Sequence, residues 1–330
     1  MNLTQEEASR AQAILEQLCY EMKTVIVGQD RFLERILIAL IAHGHILVEG
    51  PPGLAKTLTL KCLAALLDLE FQRIQFTPDL MPSDLIGTRI YHPGTGSFRT
   101  ELGPVMSHFV LADEINRAPA KVQSALLEAM QEGQVTIGRE THELPHPFFV
   151  MATQNPIDTE GTYPLPEAQL DRFLMKITLD YPTAQEEWVI LQRMTDTSQE
   201  LSLKPVLDST ALIQLIDSAR AVYLDPGLMH WIVDFVQATR NTMTEVQAGV
   251  VNLQKTIRYG ASPRGSLALA QCAKARALIR GRTYVIQEDI IELVLDCLRH
   301  RVILTYEGMA RGETTDSVLN GLLAQRAEEN

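Results

Sequence analysis

A loop rich in glycine and proline is the first part of the chain that could carry chemistry. Its residues, Gly50-Pro51-Pro52-Gly53-Leu54-Ala55-Lys56-Thr57, follow a short apolar run and lead into an apolar stretch that begins at Leu58. They match the phosphate-loop pattern GxxxxGK[ST] except that Ala55 replaces the last glycine. In such a loop, backbone N–H groups at a helix N-terminus bind phosphate oxygens, the lysine adds a charge, and the threonine hydroxyl can ligate Mg²⁺. The loop therefore predicts a nucleotide site, and the competing interpretation is a simple turn ahead of a lysine.

Two acidic residues, Asp113 and Glu114, end the apolar run Phe109–Ala112 and would complete a site for nucleotide hydrolysis. Asp113 would hold Mg²⁺, and Glu114 would polarise a water molecule for attack on the γ-phosphate. An acidic helix cap would explain one of these carboxylates, but not an apolar run that closes on both. Together with the loop, the pair predicts Mg²⁺-dependent hydrolysis of a nucleotide.

Three further polar residues lie where such a site could use them. Asn155 follows the apolar run Phe148–Ala152 and could orient the attacking water, although an asparagine at a strand end is often only a turn residue. Arg172 lies in Leu170-Asp171-Arg172-Phe173, and Arg264 comes just after Ser262-Pro263. Either arginine could bind phosphate charge or be a solvated surface residue.

Short apolar runs alternate with helical stretches over the first half of the chain, as in a parallel α/β sheet. The runs are 45–48, 71–76, 109–112, 148–152 and 174–179. The clearest helix is predicted over Pro119–Glu132, and two interrupting segments, 86–98 and 134–144, are predicted as β-hairpins. Beyond Asp180 the strand signals stop and helix-cap signals such as Asp225-Pro226 take over. We therefore expect an α/β nucleotide-binding domain over residues 1–181 and an all-helical domain over 182–330.

The composition excludes several classes of protein. The chain has 330 residues, 46% hydrophobic and 21% charged, which indicates a globular protein of about two domains. Its net charge of -12 argues against a basic nucleic-acid-binding domain. The longest apolar run, Ile36–Ala42, is too short for a membrane span, and the eight histidines are assigned to no metal. Four cysteines without a CxxC pair predict buried thiols in a reducing compartment, so we expect a cytoplasmic protein; they are Cys19, Cys62, Cys272 and Cys297.

Taken together, these motifs resemble the MoxR family of AAA+ ATPases over nearly the whole chain. The segments that carry the resemblance are 27–30, 49–57, 77–84, 112–119, 123–130, 152–156, 160–173 and 260–264. Alanine before the phosphate-loop lysine is common in this family, so Ala55 fits it. The departures are Gly265, where alanine is usual, and Ile286-Gln287, where a Thr-Pro start is frequent. Neither departure touches the predicted site.

The resemblance implies a fold and a role for each candidate residue. The fold is a P-loop AAA+ core, with its parallel sheet between helices, followed by an all-helical lid domain. Glu114, Asn155 and Arg172 would be catalytic, as the Walker B base, sensor 1 and an arginine finger that acts on a neighbouring subunit. Arg264 would be sensor 2, and Asp113 and Thr57 would bind the metal. Val27, Gly28 and Gln29 would line the adenine pocket. The full set of residues that would contact ATP is Val27, Gly28, Gln29, Gly50, Pro51, Pro52, Gly53, Leu54, Ala55, Lys56, Thr57, Leu58, Asp113 and Arg264.

The resemblance also implies partners. Members of the family are typically ring-forming, chaperone-like ATPases that work with von Willebrand factor A domain proteins, often to mature a metal- or cofactor-bearing complex. We therefore expect ATP and Mg²⁺, a homo-oligomer in the form of a hexameric ring, a separately encoded von Willebrand factor A domain partner, no nucleic acid and no membrane insertion. Three alternatives stay open: a chelatase-type ATPase subunit, a nucleotide-gated scaffold, and a nucleic-acid motor, which rests on Arg89, Arg99 and Arg139 in the hairpins.

Overall fold

The computed structural model describes residues 3–94, 96–156, 161–195, 203–240 and 256–328. The chain divides into two compact units. The sheet unit comprises residues 13–169 and 177–216, and the helical unit comprises residues 1–12, 170–176 and 217–330. The sequence predicted a single domain boundary after residue 181. The two compact units divide the chain differently, and the boundary at 181 stays a prediction. Glu160, at the start of one segment that carries the family resemblance, lies outside the described residues.

The described strands and helices follow the alternation in the sequence. The strands are β1 Ile46–Glu49, β2 Phe71–Gln75, β3 Gly87–His92, β4 Ser97–Leu102, β5 Phe109–Asp113, β6 Gln134–Ile137, β7 Glu140–Glu143, β8 Phe149–Gln154, β9 Met175–Thr178, β10 Ile257–Tyr259 and β11 Ile303–Leu304. The helices are α1 Gln5–Val25, α2 Asp30–Ile41, α3 Lys56–Leu66, α4 Pro82–Ile86, α5 Ala120–Glu132, α6 Glu167–Leu170, α7 Ala184–Thr195, α8 Ser209–Ala221, α9 Pro226–Ala238, α10 Pro263–Ile279, α11 Gln287–Ile291, α12 Val294–Leu298, α13 Tyr306–Ala310 and α14 Thr315–Glu328, with a 3₁₀ turn at Ile115–Arg117.

All five apolar runs predicted as strands form one sheet, in the order β2-β5-β8-β1-β9. The neighbouring pairs β2 with β5, β5 with β8, and β1 with β8 run parallel. Phe109–Ala112 of β5 are fully buried, as expected for a strand that helices cover on both faces. The predicted α/β core is confirmed. Its parallel strands bring their carboxyl ends to one edge of the sheet.

The clearest predicted helix forms as α5, and Gly133 ends it in the left-handed conformation with φ 63°. Pro119 is the N-cap residue of this helix and does not lie in its first turn. Most of the apolar face of this helix is buried, including Val122, Leu126 and Ala129. The helix therefore follows from its 3.6-residue periodicity and its two end signals.

Both predicted hairpins are confirmed. β3 pairs antiparallel with β4 from Gly87 opposite Leu102 to His92 opposite Ser97, so this hairpin extends four residues past its expected end at 98. β6 pairs antiparallel with β7. The Thr100 hydroxyl donates to Glu140 Oε2 at 2.9 Å, which joins the two hairpins to each other.

The helical unit carries the expected caps. Asp225 accepts from the backbone of Gly227, and Ser262 accepts from the backbone of Arg264, each ahead of a first-turn proline. The expectation that strand signals stop beyond residue 180 is corrected in one detail, because β10 and β11 form a short antiparallel ribbon. These strands have three and two residues, too few for a period-two pattern to be recognised.

In the part of the chain that the structure describes, no helix combines the length and the apolar character that crossing a bilayer requires. Cys62, Cys272 and Cys297 are buried, as predicted, whereas Cys19 is only half-buried.

Candidate functional site

The phosphate loop connects β1 to α3 at the carboxyl edge of the sheet. Ala55 caps the helix in the left-handed conformation, with φ 55° and ψ 19°. This conformation explains why the pattern usually has glycine there, since a side chain at such φ costs roughly 1–2 kcal/mol. The chain accepts this cost, and the backbone N–H groups at the start of α3 keep the direction that anion binding requires.

The Lys56 side chain contacts the backbone of the phosphate loop. Its Nζ donates a hydrogen bond to the carbonyl of Gly50 at 2.6 Å. Burial lowers the pKa of Lys56 from 10.5, while the nearby carboxylates of Asp113, Glu114 and Glu49 oppose that shift. A phosphate anion at this point would stabilise the charged ammonium further, so the lysine is suited to bind one.

Asp113 lies at the carboxyl end of β5, where both of its carboxylate oxygens accept hydrogen bonds. Oδ1 accepts from the hydroxyl of Thr153 at 2.7 Å. Oδ2 accepts from Nε and Nη2 of Arg73 at 3.0 and 2.7 Å. The carboxylate is therefore fixed in orientation from two neighbouring strands, β8 and β2.

Glu114 follows in the left-handed conformation, with φ 57°. Its Oε2 accepts from the amide of Gln75 at 2.8 Å and pairs with Nε of Arg117 at 3.1 Å. Its backbone N–H donates to the Thr153 hydroxyl at 2.9 Å, so Thr153 bridges the two acidic residues. A left-handed backbone at a residue other than glycine is strained, and such strain is common at functional sites.

One cavity of about 480 Å³ brings together Lys56, Thr57, Asp113, Glu114 and Asn155. Asn155 comes directly after β8, which lies between β5 and β1 in the sheet. The rest of its lining is Gly50, Pro52, Gly53, Leu54, Ala55, Leu58, Arg73, Gln75, Thr153 and Gln154. A cation, a hydroxyl, two carboxylates and an amide around a phosphate-sized space can bind a phosphate–metal complex and hold a water against it.

Sequence reasoning missed four residues of this arrangement: Arg73, Gln75, Arg117 and Thr153. Thr153 could have been found, because it ends the same strand that leads to Asn155. Arg73 and Gln75 carry no such signal. They reach Asp113 and Glu114 only because β2 pairs with β5, with Gln75 opposite Asp113.

Val27, Gly28 and Gln29 form the turn between α1 and α2, and are not among the residues that line this cavity. Gly28 and Gln29 have φ of 65° and 57°. A Cβ on Gly28 would lie 2.0 Å from Oε1 of Glu186, so a larger residue would displace the end of that side chain, and the positive φ favours glycine here. Gln29 Oε1 is buried and has no hydrogen-bond partner among the residues that the structure describes.

Arg172 and Arg264 belong to the helical unit. Arg172 is exposed in the turn between α6 and β9. Arg264 lies in the first turn of α10, 47% exposed, with Nη1 3.9 Å from Oδ2 of Asp171. The same Oδ2 accepts from the Ser262 hydroxyl at 2.8 Å. Arg264 is therefore paired with Asp171, which is the residue before Arg172 in the chain.

The fold and the cavity together define a P-loop ATPase, and comparisons with known proteins agree. The model of the ATPase family associated with various cellular activities (AAA) matches residues 45–175, and the AAA lid domain model matches residues 252–322. The chaperone MoxR1 of Mycobacterium tuberculosis is 50% identical over 309 residues, covering 94% of this chain and 81% of that protein. The protein MoxR of Methylorubrum extorquens is 32% identical over 296 residues, covering 86% of each.

A solved structure gives the same result. The crystal structure of a candidate ATPase from Cytophaga hutchinsonii matches with a TM-score of 0.90 and 45% identity, covering 97% of this chain and 96% of that one. The chain therefore belongs to the MoxR family of AAA+ ATPases.

Proposed function

We propose that this ATPase binds Mg²⁺-ATP in the cavity at the carboxyl edge of the sheet and uses its hydrolysis to remodel a partner protein. The observation that carries the proposal is the convergence of Lys56, Thr57, Asp113, Glu114 and Asn155 on one cavity. These residues come from two strand ends and one helix N-terminus, which is the arrangement that ligand sites of parallel α/β sheets use.

The oxygen donors fit Mg²⁺. The Thr57 hydroxyl and the Asp113 carboxylate are hard ligands, and Mg²⁺ in nucleotide sites takes one or two such side chains and fills its shell with phosphate oxygens and water. Within the described ranges there is no group of three His, Cys, Asp or Glu residues that could hold a metal without a nucleotide. When bound, the ion would neutralise charge on the β- and γ-phosphates.

The remaining residues act on the phosphates and the water. Lys56 leaves the Gly50 carbonyl to bind the β- and γ-phosphates as an ammonium. Glu114 accepts the proton of the attacking water, and Asn155 orients that water. Gln75 and Arg117 hold the Glu114 carboxylate and so limit the positions from which it can act.

For the adenine we propose the turn at Val27, Gly28 and Gln29. The support is the buried Oε1 of Gln29, which could accept a hydrogen bond from the adenine amino group.

We further propose that the protein assembles as a homo-oligomeric, hexameric ring. Arg172 of one subunit would complete the site of its neighbour, and Arg264 would report the γ-phosphate to its own helical unit. The exposure of Arg172 supports a contact outside its own chain. The remodelled partner would be a separately encoded von Willebrand factor A domain protein or a metal- or cofactor-bearing complex. The chaperone name of the M. tuberculosis relative supports the remodelling role.

Glu114→Gln tests the proposal, because an amide keeps the shape of the carboxylate but cannot accept a proton. We expect normal ATP binding with hydrolysis slowed about 10²- to 10⁴-fold, the usual contribution of a general base. The trapped protein should capture its partner from extract with ATP and lose it with ADP, and Lys56→Ala should capture nothing in either nucleotide. Near-normal turnover of Glu114→Gln would remove Glu114 from the base role. Salt-dependent DNA binding, or partner-dependent metal insertion into a macrocycle, would favour the alternative functions.

A further inference from the structure

Arg73 contacts the carboxylate that the proposed function assigns to Mg²⁺. It lies in β2, beside β5, and Nε and Nη2 both donate to Oδ2 of Asp113. Nη2 also donates to Oε1 of Gln75 at 2.7 Å, which holds the guanidinium at the cavity rim. The Arg73 side chain is 51% exposed, whereas that of Asp113 is only 18% exposed. The pair therefore joins a half-exposed cation to a mostly buried anion.

This contact leaves no carboxylate oxygen of Asp113 without a donor. Oδ1 is engaged by Thr153, a side chain that is itself buried, and Oδ2 is engaged by Arg73. A carboxylate has about four lone-pair sites, and the two that belong to Oδ2 are both taken by the guanidinium of Arg73. A metal ion at this carboxylate would also lie a few ångströms from that cation and be repelled by it. Since Thr153 is buried and Arg73 is half-exposed, Arg73 is the partner that can leave.

We infer that Arg73 occupies Oδ2 of Asp113 when Mg²⁺ is absent and competes with the metal for this carboxylate. Arg73 is then a positioning residue that sets the Mg²⁺ concentration at which the site fills. This inference rests on the proposed assignment of Asp113 as a metal ligand.

A purely structural role for the pair makes a different prediction. If Arg73 served only to hold Asp113 in the right orientation, its removal would loosen the ligand and weaken metal binding. If Arg73 competes with the metal, its removal strengthens metal binding. The two roles therefore differ in the sign of one measured quantity.

The test measures metal binding directly, by electron paramagnetic resonance of Mn²⁺ titrated into the protein with a non-hydrolysable ATP analogue. Arg73→Gln keeps a polar side chain but removes the charge. We expect it to lower the half-saturating Mn²⁺ concentration by about two- to fivefold, because an exposed ion pair contributes a free energy of that size. Arg73→Lys keeps the charge and should stay nearer to the wild-type value. Arg117→Gln removes a charge that pairs with Glu114 and not with Asp113, and should shift the midpoint much less.

The possible results distinguish a failure of the inferred competition from a failure of the proposed Mg²⁺-ATP site. An unchanged or raised midpoint in Arg73→Gln overturns the competition. Wild-type protein that binds neither the analogue nor Mn²⁺ in its presence overturns the proposed site itself. Because Arg73 is half-exposed, its replacement leaves no buried cavity, and circular dichroism can verify that the variants are folded.

Discussion

Asp171 and Arg301, 130 residues apart in the chain, form an ion pair inside the helical unit, with Nε donating to Oδ1 at 2.8 Å. The Arg301 side chain is only 2% exposed. It also donates to the carbonyls of Phe173 and Leu174 at 2.6 and 3.1 Å. One buried guanidinium therefore fixes the backbone on both sides of Arg172, the residue proposed to act on a neighbouring subunit.

The first prediction concerns the stability that this contact provides. Arg301→Met should lower the free energy of unfolding by about 3 kcal/mol, because it leaves a partly buried carboxylate and several carbonyls without their donor. Denaturant unfolding measures the loss. The control is Arg311→Met, since Arg311 pairs with Glu307 on the surface and its loss should cost less than about 1 kcal/mol. Equal losses in the two variants would contradict a structural role for the buried arginine.

The second prediction concerns nucleotide affinity. Lys56→Ala deletes a charge-assisted contact to phosphate, typically about 1.5–3 kcal/mol, so ATP should bind roughly 10- to 150-fold more weakly. Isothermal titration calorimetry checks this. Lys61→Ala is the matched control, because Lys61 is an exposed lysine on the same helix. If Lys56→Ala binds ATP as tightly as the control does, the phosphate-loop assignment is wrong.

The third prediction concerns pH. His45 accepts from the backbone N–H of Val150 through Nδ1 at 3.1 Å, and Nε2 lies 3.2 Å from the carbonyl of Met130, which fits a neutral ring protonated on Nε2. Burial lowers the pKa of His45 from 6.5 to about 4. Between these two values the unfolded chain binds more protons than the folded chain, so stability should be complete above pH 6.5 and fall as the pH drops towards 4.

Denaturant unfolding at several pH values measures this dependence. A difference of one between the folded and unfolded pKa corresponds to about 1.4 kcal/mol. His45→Gln should make the profile less steep without making it flat, because burial also lowers the pKa of His300. Replacement of the exposed His230 by Gln should leave the profile as in the wild type. A profile equally steep in His45→Gln and wild type would show that another group causes the acid sensitivity.

The sequence predicted the parts of the site that depend on local pattern. Asp113, Glu114 and Asn155 each follow an apolar run, and the carboxyl ends of parallel strands share one edge, so their common location follows without knowledge of the strand order. Arg73 depends on that order. β2 comes after β1 in the chain but pairs with β5, and no local pattern specifies which strand takes that edge.

The Asp171–Arg301 pair could not be predicted from the sequence, for a related reason. A buried arginine is recognisable only when its partner is known, and the partner lies 130 residues away. The short β10–β11 ribbon was missed because two or three residues carry no periodicity. For Arg73 and for Arg301, what sequence reasoning lacked was a long-range pairing rather than a local preference.

The last prediction tests both Arg172 and the ring. Arg172→Ala should bind ATP through its own Lys56, Thr57 and Asp113 but hydrolyse it poorly, because an arginine finger contributes roughly 10³- to 10⁵-fold in rate. The decisive measurement is a mixture of Arg172→Ala, which keeps its phosphate loop, with Lys56→Ala, which keeps its finger. If the finger acts on a neighbour, the mixed assemblies regain hydrolysis wherever an intact loop meets an intact finger, and this activity rises with protein concentration. The control replaces the second component by the double variant Lys56→Ala/Arg172→Ala, which supplies neither group and should restore nothing. A mixture that stays inactive while subunit exchange is demonstrated would place Arg172 in its own subunit's site or in a structural role, and the ring-based mechanism would lose its main support.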